Sequence, residues 1–227
     1  MFYFDWTYML IIPGMLLGLW AQHKVKSTYA EYSRIPTRCG RGAAGVVDDL
    51  LRRNGNNKVR IGRVSGQLTD HYNPGNETLN LSDGVYASNS VAALGIAAHE
   101  AGHAMQKYEG YAPLTLRTAI VPAVNICSSL STPLFFLGIL MAWEPLTTLG
   151  IILFAASTVF ALVTLPVEFN ASKRAVAMLT EGGYVTGEEE RGIRKVLTAA
   201  ALTYVAAAVT SLLSLLRLVL IANRRRD

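Results

Sequence analysis

Charge is scarce in this chain, and what is missing is missing in blocks. Charged residues make up 16% of the 227 and hydrophobic residues 51%, a balance unusual for a soluble domain. Four windows hold no Asp, Glu, Lys or Arg: 6–22, 118–143, 145–167 and 196–216. A bilayer core of about 30 Å asks for about 20 apolar residues in a helix. The last three windows meet that length and the first is marginal, so the chain reads as an integral membrane protein. For the first window alone, a buried helix of a soluble domain is the competing reading. The second and third windows are separated only by Glu144, which predicts a transmembrane hairpin.

Other absences narrow the class. The two cysteines, Cys39 and Cys127, are too few and too far apart to make a disulfide framework or a zinc spacing, and both read as packing residues. No basic residue precedes the first apolar stretch and no small-x-small site precedes His23. That argues against a cleaved signal peptide and for an uncleaved anchor with its N-terminus outside. There is no internal repeat and no low-complexity tract.

The net charge of +5 suggests nucleic acid only until the basic residues are located. Twelve of the 21 Lys and Arg lie between the first and second windows, five between the third and fourth, and four are Arg217 and Arg224–Arg226. By the positive-inside rule, residues 23–117 and 168–195 are expected in the cytoplasm and the Glu144 turn outside. The excess charge then reports topology and contact with anionic lipid, with no nucleic-acid partner. The last segment, 196–222, is expected either to cross or to lie in the interface. A crossing helix is preferred, although it places the RRRD tail outside, against the rule.

Within 23–117 the pattern is helix, strand, loop, strand. Ala43, Val46, Val47, Leu50 and Leu51 follow helical spacing, with Asp48, Asp49, Arg52 and Arg53 opposite, and Asn54-Gly55 ends that helix. Val59 and Ile61 alternate with Lys58, Arg60 and Arg63, NPGN at 73–76 is turn chemistry, and TLNLS at 78–82 alternates again. A helix is then expected over SNSVAALGIAAHEAGHAMQK (88–107), with Ser and Asn at its N-cap. Gly95 and Gly102 would each cost it about 1 kcal/mol relative to alanine, so they are expected to mark close backbone contacts.

That helix contains HEAGH. His99 and His103 are four apart and share one face, so both imidazoles can reach one metal ion, and Glu100 is angled toward the ion's open side. The geometry suits zinc-dependent hydrolysis, with one Zn2+ per chain. A catalytic zinc takes a third protein ligand and leaves a position for water. His71, Glu77, Asp83, Glu109, Glu168 and Glu181 qualify by type. Glu168 is favoured because it follows a 23-residue run with no charge, where a carboxylate is costly unless paired or ligating. The competing reading is a carboxylate that snorkels to water or pairs with Lys173 or Arg174. For stabilising a developing oxyanion, His71 and Tyr204 are the candidates. TLNLS is expected as an edge strand on which an extended peptide could pair.

DHYNP (70–74), SVAALGIAAHEAGHAMQ (90–106), LPVEFNASKRA (165–175), AAALTYVAAA (199–208) and the RRRD tail resemble the YugP-like family of neutral zinc metallopeptidases of bacterial membranes, over nearly the whole chain. The resemblance implies a membrane-anchored, gluzincin-like peptidase with zinc on His99, His103 and Glu168 and with Glu100 as general base. More distant similarity to HtpX and Ste24-type proteases places their E-x-x-A-D pattern on Glu168-Phe-Asn-Ala171-Ser172. Their supporting Asp is Ser172 in this chain, and Asn170 stands where the YugP-like pattern is expected to carry Asp.

The expected architecture is a mainly α integral membrane protein. It has about four transmembrane helices (6–22, 118–143, 145–167, 196–222) and a small α+β zincin-like cytoplasmic region in 23–117, completed by 168–195. The expected activity is hydrolysis of peptide bonds in peptides or membrane proteins at the bacterial inner membrane, as part of membrane protein quality control. The alternative is a non-proteolytic zinc-binding membrane scaffold, whose signature would be a fourth ligand or the loss of Glu100. Zinc transport is disfavoured because the second, third and fourth windows contain no His, Asp or Glu.

Overall fold

The computed structural model describes residues 6–224, so Arg225, Arg226 and Asp227 of the basic tail lie outside the described residues. A short 3-10 turn, Trp6–Leu10, precedes α1 (Ile12–Tyr32) and α2 (Ala43–Arg53). Strands β1 (Arg60–Val64), β2 (His71–Asn73) and β3 (Thr78–Ser82) follow, then α3 (Asp83–Tyr86), α4 (Val91–Tyr108), α5 (Ala112–Leu140), α6 (Glu144–Glu181) and α7 (Glu188–Asn223). The chain divides into two compact units, one built from 6–22, 116–165 and 202–224 and the other from 23–115 and 166–201.

In the first unit, α5 and α6 form the hairpin expected from the sequence. Their turn is held by the Trp143 amide on the Gly138 carbonyl at 2.9 Å. Added Cβ atoms would lie 2.6 Å from Thr147 Oγ1 at Gly138 and 2.6 Å from the Phe135 nitrogen at Gly150. Glycine therefore lets these two backbones approach as membrane helices do. Gly14 of α1 does the same against α7, where a Cβ would meet Thr210 Oγ1 at 2.8 Å. The outward faces are apolar: Met15, Leu19, Ile126, Phe136, Leu140, Ile152, Val159, Leu212 and Leu216 are all exposed.

Among the described residues, three helices are long and apolar enough to cross a membrane: α5, α6 and α7. The first window of the sequence is not one of them. Its start is the 3-10 turn, and the helix that follows carries Lys24, Lys26 and Glu31, so its apolar part stays short of the roughly 20 residues a span needs. The last window lies within α7, which qualifies by length and composition.

In the second unit the apolar residues point inward. Val46, Val47, Leu50 and Leu51 of α2 are buried against Leu79 and Leu81 of β3, Leu94, Ala97, Ala98 and Ala101 of α4, and Leu179 and Ile193. The sheet order is β1-β3-β2, with β3 parallel to β1 and antiparallel to β2. TLNLS is thus the central strand, not an edge. Leu79 and Leu81 need cover on the core side, and both of the strand's backbone edges are already paired. The two outer strands are β1 and β2, the latter His71–Asn73.

The two helical glycines behave as their cost predicted. A Cβ at Gly95 would meet Ile193 Cγ2 at 3.2 Å, and one at Gly102 would meet the Ala171 carbonyl oxygen at 2.5 Å. The second contact brings α4 and α6 together next to His103.

Candidate metal centre

Ser90 starts the motif helix, its hydroxyl accepting the Ala93 amide at 3.2 Å, as an N-cap does. From there the helical period puts His99 and His103 one above the other, with ring centroids 4.8 Å apart and planes at 84°. Ala98, Ala101, Gly102 and Ala104 are buried, so this helix lies close enough to α6 for Glu168 to reach both rings. Glu168 Oε2 is 3.2 Å from His99 Nε2 and 3.6 Å from His103 Nε2. One ligand atom from each residue lies within 4.8 Å of the others.

The carboxylate is 2% exposed and His103 9%. A bare acid so deeply buried is costly unless paired, protonated or ligating. Arg174 forms an ion pair with Glu109 at 2.7 Å. The other candidate ligands are committed elsewhere: Glu77 pairs with Lys107 at 3.1 Å and Asp83 with Arg63 at 2.7 Å. Glu181 is exposed. Among the described residues this is the one group of three or more potential ligands.

The chemistry of the donors fits zinc. Two imidazole nitrogens and one carboxylate oxygen make the three-ligand set of catalytic zinc sites. Each ring's other nitrogen is also held: His99 Nδ1 lies 3.1 Å from Ser172 Oγ, and His103 Nδ1 lies 3.0 Å from Gln106 Oε1. Such outer partners orient ligating histidines. Ser172, standing where the distant relatives carry Asp, thus occupies the supporting position with a hydroxyl.

Glu100 is half-buried, and its Oε2 accepts the backbone N–H of Tyr72 at 2.8 Å. Burial raises its carboxyl above the ordinary glutamate value, and His99, His103 and the Tyr72 N–H oppose part of that rise. Tyr72 sits on edge strand β2. Burial and the nearby Glu77 charge push its phenol up to about 12, so it stays protonated in neutral solution.

The two oxyanion candidates, His71 and Tyr204, lie on different elements. His71 is exposed, with Nδ1 2.9 Å from the Thr69 carbonyl and Nε2 3.1 Å from Asn80 Nδ2. A carbonyl only accepts, so Nδ1 donates to Thr69. Tyr204 is on α7 in the transmembrane unit. Three residues absent from the sequence-derived site belong to it: Tyr72, Ser172 and Gln106. Ser172 was visible as the residue at the supporting position, and Gln106 had a signal too, standing three after His103 and so on the same helical face.

Residues 7–223 match the model of the family described as "Putative neutral zinc metallopeptidase". The chain is 46% identical over 218 residues to a protein of Bacillus subtilis (strain 168) named "Putative membrane protease YugP", covering 96% of this chain and 97% of that one. No solved structure matches. The chain belongs to this zinc metallopeptidase family.

Proposed function

We propose that this family member is an endopeptidase anchored in the bacterial cell membrane, with one zinc ion per chain on His99, His103 and Glu168 and with Glu100 as general base. One observation supports the reading above the rest. His99, His103 and Glu168 bring their ligand atoms within 4.8 Å of one another, and the glutamate between the two histidines is not part of that set. A scaffold that held zinc structurally would close the site with a fourth protein ligand, and the group holds three among the described residues.

Zinc held there supplies a Lewis acid for the scissile carbonyl and for the attacking water. The chain's own residues do the rest. With Oε2 of Glu100 fixed by the Tyr72 N–H, Oε1 accepts the water's proton and hands it to the leaving amine nitrogen. The raised proton affinity of this carboxyl suits a group that must take a proton and give it back. An extended peptide would lie along β2, the edge strand that holds Glu100, and be read mainly through its backbone.

Seventeen of the 21 basic residues fall in 23–117 and 168–195, which favours a cytoplasmic catalytic unit and an outer Glu144 turn. In this reading 6–22 serves as a further membrane anchor, and the substrates are damaged or misassembled membrane proteins. The substrate assignment rests on analogy with distant relatives.

The test is cleavage of an unfolded polypeptide by detergent-purified protein, with and without a zinc chelator, set against Glu100→Gln. Zinc-dependent cleavage by the wild type that disappears in the variant is the expected result. Zinc bound without any cleavage by the wild type, across a panel of unfolded soluble and membrane polypeptides, would favour the scaffold.

A further inference from the structure

We propose that Gln106 is a positioning residue that locks His103 into the tautomer a metal ion requires. The inference rests on the zinc reading of the cluster and asks how one ligand of it is prepared. Gln106 is polar, yet it is 0% exposed. A buried amide is tolerated only when its donors and acceptor are met, and here they are met by three defined partners. Its Oε1 is 3.0 Å from His103 Nδ1. Its Nε2 donates to the Val167 carbonyl at 2.8 Å and to Asn170 Oδ1 at 3.0 Å.

The assignment of the amide follows from Val167. A backbone carbonyl can only accept, so the amide nitrogen must face it and the amide oxygen must face His103. That oxygen can only accept as well, so the ring proton sits on Nδ1. In the neutral ring, the form that binds metal, His103 Nε2 then carries the lone pair, and it is the nitrogen that faces the Glu168 carboxylate at 3.6 Å. The backbone of α6, one residue before Glu168, in this way selects the tautomer of His103 on α4.

His99 is treated differently. Its Nδ1 partner is the Ser172 hydroxyl at 3.1 Å, which can donate or accept, so it orients the ring without choosing the tautomer. Beyond Gln106 the contacts continue outward. Asn170 Oδ1 also accepts Arg174 Nε at 2.7 Å, and Arg174 pairs with Glu109 at 2.7 Å. Asn at 170, unlike Asp, holds this position without placing a second negative charge two residues from Glu168.

The experiment measures zinc affinity by chelator competition on full-length, detergent-purified wild type, Gln106→Met and Gln106→Glu, with the thermal midpoint of each metal-free protein alongside. Methionine fills the volume and removes every hydrogen bond. Glutamate keeps an acceptor for Nδ1–H but loses both donors. Gln106→Met is expected to bind zinc about 10–100-fold more weakly, and Gln106→Glu to recover most of that loss even if both variants melt lower when metal-free. Equal weakening in both would overturn the proposal, because Gln106 would then merely tie the two helices together; no weakening in the methionine variant would overturn it too. If the methionine variant does not fold, Gln106→Glu decides alone: near wild-type affinity supports the role, and a loss of tenfold or more overturns it. A folded wild type that binds no zinc instead removes the zinc reading itself.

Discussion

α4 and α5 follow one another with three residues between them, and their surfaces are inverted. Leu94, Ala97, Ala98, Ala101 and Ala104 of α4 are essentially inaccessible, whereas Ile126 of α5 is 62% exposed and Leu140 83%. Both helices are apolar. The difference is what surrounds them: protein on most sides of α4, and for α5 the hydrocarbon that its length and composition call for. A helix inside protein can be built of alanine and glycine, bringing functional side chains close to a neighbour. A helix in lipid gains nothing by burying leucine against leucine, so it keeps large residues outward and small ones at its helix contacts. His99, Glu100, His103 and Glu168 accordingly lie in the unit that has a protein core.

Four variants test that contrast. The largest effect is expected for Glu100→Gln. Turnover should fall by about 10²–10⁴-fold, with zinc content unchanged by mass spectrometry; undiminished cleavage would remove Glu100 from the chemistry. Next is Leu94→Ala, a cavity in the core, which should cost about 2–5 kcal/mol in chemical denaturation of the unit built from 23–115 and 166–201. Ser172→Ala leaves His99 Nδ1 without its partner and should weaken zinc by about 10–100-fold in chelator competition. Leu130→Ala on the exposed face of α5 should shift stability in detergent by no more than about 0.5 kcal/mol. Were Leu130→Ala as damaging as Leu94→Ala, the two helices would not differ in surroundings as described.

Much of this was legible before any coordinates. The uncharged windows located α5, α6 and α7, because a span must be nearly free of charge over its length. The amphipathic period located α2, and HEAGH with a lone carboxylate after a long apolar run singled out His99, His103 and Glu168, which the fold brings together. Illegible features depended on partners distant in sequence or on elements too short to have a period. β2 is three residues, His71–Asn73, and turn chemistry adjoins it, so TLNLS looked like the edge when it is the centre. Gln106 meets the Val167 carbonyl across 61 positions, and no local pattern announces that pairing. Ser172 read as the loss of an Asp, yet its hydroxyl lies 3.1 Å from His99 Nδ1. The first window is uncharged, but Lys24 and Lys26 follow it within α1, and that helix is not among the three that qualify as spans in the described residues.

The most direct test of the central claim is zinc per chain, measured by mass spectrometry on wild type and Glu168→Ala purified side by side in detergent. The account predicts about one zinc in the wild type and a large loss in the variant. Equal zinc in both would contradict it, because the third ligand would then be another residue and the buried Glu168 would be left without a role at the metal.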